Sequence, residues 1–88
     1  MNSFGIPQFQ CFTGTFILQP TGLIGATLGT LITDQGFNLQ VRQVPGPNNQ
    51  GPSLASVNGQ RVRLCGTLVT DVSGTLLQVF LVQPLLGF

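Results

Sequence analysis

The side chains able to do polar or covalent chemistry are few. The charged set is Asp34, Arg42, Arg61, Arg63 and Asp71; the thiols are Cys11 and Cys65; His, Lys, Glu, Tyr and Trp do not occur. General acid–base catalysis draws mostly on His, on carboxylates tuned in pairs, or on Lys and Tyr. Two Asp residues 37 positions apart offer little of that. A nucleophilic cysteine needs a neighbouring base, and His is missing. Metal sites are built from clustered His, Cys and carboxylates, and nothing here clusters along the chain. The expectation is a protein that is not an enzyme, with no catalytic residues, cofactor or metal.

Cys11 and Cys65 then have three readings. They are reduced and half-buried, since Cys is often buried. They form a bridge within the chain, as small extracellular domains with insufficient cores do. Or they join subunits. Sequence alone leaves all three open.

The elements that must position these residues are strands. Gly29–Val41 reads GTLITDQGFNLQV and 66–79 reads GTLVTDVSGTLLQV, with nine of thirteen paired positions identical once Ser73 is treated as an insertion. Each copy has the form strand, turn, strand. Asp71-Val72-Ser73-Gly74 fits a type I turn, with Thr33-Asp34-Gln35-Gly36 as its shorter counterpart. The repeated Asp is therefore read first as turn chemistry, its carboxylate bonding backbone N–H groups, and only second as a paired site.

Period-two alternation marks the rest. Phe12, Gly14, Phe16 and Leu18 share one face, opposite Cys11, Thr13, Thr15 and Ile17. Phe37, Leu39 and Val41 face in, as do Val62, Leu64, Gly66 and Leu68, and then Leu77, Val79 and Leu81. Five strands result, at about 10–18, 26–33, 37–44, 60–70 and 75–83. Between the third and fourth runs Pro45-Gly46-Pro47-Asn48-Asn49-Gln50-Gly51-Pro52, which is loop sequence. Ser53 to Val57 has room for one short helical turn. The 88 residues form one domain: an arm over 1–9, a β unit over 10–83 and a tail over 84–88.

A three-strand meander, a connection and a hairpin make the strand order of the OB-fold. The resemblance rests on Thr13-Gly14-Thr15-Phe16-Ile17 in the first strand and Arg61-Val62-Arg63-Leu64-Cys65-Gly66-Thr67-Leu68 in the fourth. Glycines within strands mark sharp bends of a small barrel. The resemblance implies an all-β, five-stranded barrel with a Pro/Gly loop in place of the usual helix; a small β-sandwich is the alternative. It also implies a second function, binding of single-stranded nucleic acid or another ligand. That needs a basic groove and stacking rings, and three Arg with only Phe as aromatics are a thin supply.

Composition favours another role. Charged residues are 6% and the formal net charge is +1, against a hydrophobic fraction of 42%. Charge near zero promotes association. Leu76, Phe80 and Val82 lie on the predicted outer face of the last strand, which is thus apolar on both sides. Phe4, Ile6 and Phe9 at one end, and Leu85, Leu86 and Phe88 at the other, are apolar where termini are usually polar. These nine residues are the expected subunit interface, with both tails docking on neighbouring copies. The expectation is a self-assembling structural subunit, its partner itself, in a filament, tube or surface layer. In type it resembles the charge-poor β subunits of bacterial extracellular and spore-surface appendages, which implies an extracellular or cell-surface setting. No apolar run is long enough for a membrane helix, and 1–10 shows no basic region followed by an apolar stretch of the secretory kind.

Overall fold

The structure, a computed structural model, describes residues 9–20, 26–72 and 74–85. Five strands form: β1 Phe9–Gln19, β2 Thr27–Thr33, β3 Asn38–Gln43, β4 Arg61–Asp71 and β5 Gly74–Pro84. All begin and end within two residues of the expected positions. They close into a barrel in the order β1-β2-β3-β5-β4. Every pairing is antiparallel except β3 with β5. This is the all-β, five-stranded barrel expected from the sequence.

Closure follows from which residues alternate inward. Phe16, Leu31, Val41, Val62, Leu64 and Leu77 are each no more than 1% exposed and fill the barrel. The strands pass close to one another where glycine leaves room. A Cβ at Gly66 would lie 2.0 Å from the Gln78 carbonyl oxygen, and one at Gly14 would lie 2.2 Å from that of Ile32. No side chain fits at either point, so these glycines are the barrel's bends.

The repeat is a repeated hairpin. Gly29 pairs with Val41 and Leu31 with Leu39; in the second copy Gly66 pairs with Val79 and Leu68 with Leu77. Equivalent residues thus occupy equivalent register positions. In the first turn Gly36 sits at φ 98° and its N–H donates to the Thr33 carbonyl at 3.0 Å. That conformation is open to glycine at little cost.

The β3–β4 connection holds a single 3₁₀ turn, Leu54–Val57. Leu54 is fully buried and Val57 is 2% exposed, so this turn plugs one end of the barrel. It is pinned from both sides. The Leu54 N–H donates to Gln43 Oε1 at 2.8 Å, and the Leu18 N–H donates to Asn58 Oδ1 at 2.8 Å. Gln43 is itself 7% exposed, a buried amide whose acceptor is satisfied by the plug.

Two inward assignments fail. Phe37 is 44% exposed in the β2–β3 turn, where its ring meets Phe12 edge-on at 6.2 Å; the strand begins one residue later, so the alternation does not reach it. On β5 the phase changes partway. Cys65 pairs with Leu81 but Gly66 pairs with Val79, which leaves Phe80 as the extra residue of a β-bulge. Beyond the bulge the faces exchange: Val82, at 1% exposed, joins the core, and Leu81 turns outward with partial exposure. Val82 is therefore not an interface residue.

Candidate functional site

The two cysteines meet. Cys11 and Cys65 are direct partners in the β1–β4 register and form a disulfide within the chain, with their Cα atoms 4.0 Å apart. Such close approach belongs to pairs that exchange no backbone hydrogen bonds. Cys65 is buried although it lies on the outer side of β4, because other side chains cover it. The bridge settles the three readings in favour of the internal one.

The same outer wall carries an apolar surface. The Phe9 and Phe80 rings lie 5.3 Å apart, and Phe9 is 59% exposed. Alternation from Leu77 and Val79 turns Phe80 to the outer wall, at the point where the bulge begins. Val69 on β4 and Leu76 and Leu81 on β5 are partly exposed. Of the expected interface residues, then, Phe9 and Phe80 meet on the outer wall, and Leu76 lies on the same face of β5 beyond the exposed Gln78. Leu85 is partly buried, and its N–H donates to the Arg61 carbonyl at 2.9 Å, which ties the start of the tail to its own barrel. Phe4, Ile6, Leu86 and Phe88 lie outside the described residues.

A second apolar patch was missed. Ile17 is 42% and Ile32 46% exposed, on adjacent strands β1 and β2. Ile17 stood in the polar phase of its strand, beside Thr13 and Thr15, which was a readable signal. Phe9 and Ile17 are eight residues apart on β1, about 26 Å at 3.3 Å per residue. The two patches therefore sit at opposite ends of one strand.

Arg61, Asp34 and Arg42 have structural partners. Arg61 grips Asp34 in a two-pronged pair, with Nη1 donating to Oδ1 at 2.7 Å and Nη2 to Oδ2 at 2.5 Å. The carboxylate raises the Arg61 pKa above its usual value, through the hydrogen bond first and the charge second. Asp34 thus ties the β2–β3 turn to β4 through an ion pair, and among the described residues its carboxylate is given to Arg61 and not to the backbone N–H groups expected of a turn residue. Nothing is described of the Asp71 side chain, so the paired-Asp reading falls outside the described residues. Arg42 Nη2 donates to Gln78 Oε1 at 3.0 Å across the β3–β5 pair.

The outer wall of β2 and β3 is where an OB-fold of the resemblance would bind a strand of nucleic acid. Here it presents Leu28, Thr30 and Ile32 from β2 and Asn38, Gln40 and Arg42 from β3. No aromatic ring stands among these six, and the one cation is engaged by Gln78. A separate open groove of about 680 Å³ lies between the loop Val44–Gln50 and the wall of β4 and β5, reaching Thr67, Gln78 and Phe80. Several of its polar groups are spent internally. The Asn49 side chain donates to the Val44 carbonyl at 2.8 Å, and the Gln50 N–H donates to the Phe80 carbonyl at 2.6 Å.

No helix among the described residues is long and apolar enough to cross a membrane. Searches against protein-family models and against curated proteins return no match to this chain.

Proposed function

We propose that this chain is a structural subunit that joins copies of itself head to tail into a filament, tube or layer. The carrying observation is the pair of unlike apolar patches at opposite ends of β1: Phe9 with Phe80 at one end, Ile17 with Ile32 at the other. A patch that meets its own copy closes a dimer; two different patches that meet each other leave one of each free and the chain open-ended. Near-absent charge supports this, since copies approach without repulsion and bury little unpaired charge. The internal disulfide suits an extracellular setting, where such bridges persist.

Electron microscopy of the purified protein is the direct test, with ordered polymers expected. Phe80→Asp and Ile32→Asp should each give a folded, unassembled barrel. Mixed in equal amounts, the two variants should form dimers and nothing longer, because each keeps the patch that the other lacks. A wild-type protein that stays monomeric at all concentrations refutes the proposal. The second reading, a module for single-stranded nucleic acid, draws on the OB-like strand order alone. Oligonucleotide binding that falls steeply with salt would favour it; assembly through apolar contact should instead be indifferent to salt or strengthened by sulfate.

A further inference from the structure

The hydrogen bonding between β1 and the chain before β4 outlasts the strand itself. The ladder runs to Thr15 opposite Arg61. The same register, carried on, sets Phe16 against Gln60 and Leu18 against Asn58. Phe16 keeps that partner, its N–H donating to the Gln60 carbonyl at 3.0 Å. At Gly59 the chain turns aside, with φ at 80°, a conformation glycine takes at little cost. Its N–H still reaches back and donates to the Phe16 carbonyl at 2.7 Å. At position 58 the side chain takes over from the backbone: Asn58 Oδ1 accepts the Leu18 N–H at 2.8 Å.

Asn58 is thus held by its carboxamide while the residue as a whole stays exposed to water. It is also the one Asn of the chain that is followed by Gly. That dipeptide has a chemistry of its own. The backbone nitrogen of the second residue can attack the carboxamide carbon of the first. The nitrogen gives its proton to solvent, a new N–C bond closes a succinimide ring, and the carboxamide C–N bond breaks as ammonia leaves with a proton from water. Water then opens the ring at either carbonyl. One opening gives aspartate with the original backbone; the other gives isoaspartate, with the backbone routed through the side chain. The net change is Asn and water to acid and ammonia. A Cβ on the second residue would crowd the attack, and glycine has none.

In the native barrel the reaction is shut off by geometry. Ring closure needs the Gly59 nitrogen on the same side of the Asn58 Cα–C bond as Cβ. At Asn58 ψ is 129°, which turns that nitrogen well away from the side chain. Rotating it inward breaks the Gly59 bond to Phe16, and swinging the carboxamide to meet it breaks the bond to Leu18. Both anchors stand on the same end of β1, two residues apart. Val57, which immediately precedes Asn58, is 2% exposed in the turn that plugs the barrel. Residues 57–59 therefore move only as the plug moves.

We propose that Asn58 is a deamidation site latched by the end of β1. It is closed while Phe16 and Leu18 hold residues 58–60, and water converts it to aspartate or isoaspartate when that contact opens. Local openings of this kind are part of native-state behaviour. The conversion does not reverse, so the converted fraction accumulates as a record of opening at the plugged end. Isoaspartate adds a backbone carbon between Cα of residue 58 and Gly59, which carries the Gly59 N–H out of register with Phe16 and leaves that end unlatched.

The test is a timed incubation of the full chain in mildly alkaline buffer, native and in urea with the disulfide intact. Peptide mass spectrometry that separates Asn, aspartate and isoaspartate reads each site. Unfolded, Asn58 should convert ahead of Asn38, Asn48 and Asn49, none of which precedes Gly. In the native chain it should convert about thirtyfold more slowly, the effect of two hydrogen bonds of ordinary net strength that must break first. Equal rates in the two states would overturn the latch, and no lead for Asn58 in urea would overturn the site. Asn58→Ala, a change at an exposed position, checks the contact apart from the chemistry. Hydrogen exchange of the Leu18 amide should quicken by about tenfold, while that of Leu31, deep in the barrel, stays as it is. A Leu18 amide no faster in this variant refutes the inference.

Discussion

Removing the disulfide is the perturbation whose size follows most directly from the fold. Cys11 and Cys65 are separated by 54 residues in sequence. Cross-linking a loop of that length lowers the entropy of the unfolded chain by about 14 cal/mol/K in the loop-closure treatment, or about 4 kcal/mol at 25 °C. A chain of 88 residues is expected to be stable by roughly 4–13 kcal/mol in total, so the bridge supplies a third or more. Changing both residues, Cys11→Ala with Cys65→Ala, avoids leaving a polar thiol at the buried position. The chain has neither Trp nor Tyr, so urea unfolding is best followed by far-ultraviolet circular dichroism. With a slope of about 1 kcal/mol per molar urea, the midpoint should fall by about 4 M. Wild-type protein in excess reductant should match the double variant. A fall of less than about 1 M would refute the reasoning, because it would mean that the unfolded chain is already compact without the cross-link.

Leu54→Ala should cost about 2–5 kcal/mol, since the side chain is fully buried in the turn that plugs the barrel; a smaller loss by the same urea assay would show that the plug is dispensable. Val82→Asp should abolish the strand signal in circular dichroism, while Phe80→Asp, two residues earlier, should preserve it. Asp34→Asn should leave the urea midpoint unchanged, because the side chains of its ion pair with Arg61 are 42% and 48% exposed and exposed pairs contribute little.

Most of the barrel was legible because period-two alternation survives wherever a strand has one face inside. β1, β3 and the first part of β4 obeyed it, and the glycine-centred repeat located two hairpins of equal register. The cysteine pairing was not legible, because it depends on which strands close the barrel: Cys11 and Cys65 face each other only once β1 is laid against β4. The Arg61–Asp34 pair escaped for the same reason. Each residue is ordinary in its own segment, and the geometry that joins them is made by strands far apart in sequence.

The last strand is the most instructive failure. Apolar residues at both parities of 76–82 read as a strand buried on two faces. A single extra residue gives the same pattern a different meaning. Leu77 and Val79 point inward before Phe80, and Val82 points inward after it, so the core stays continuous past the bulge. Without the bulge, strict alternation would carry Leu81 inward and Val82 out. The bulge thus keeps the core continuous, while the Phe80 ring that alternation turns outward meets Phe9 in the patch on which the proposed assembly rests. Deleting Phe80 should show the link: with regular alternation restored past Val79, Leu81 moves one place along and takes the outward position, Val82 keeps its place in the core, and the barrel folds without the patch. Thermal unfolding near that of wild type with assembly lost is the expected result; an unfolded deletion variant would show that the bend at Phe80, and not only its ring, is needed to close the barrel.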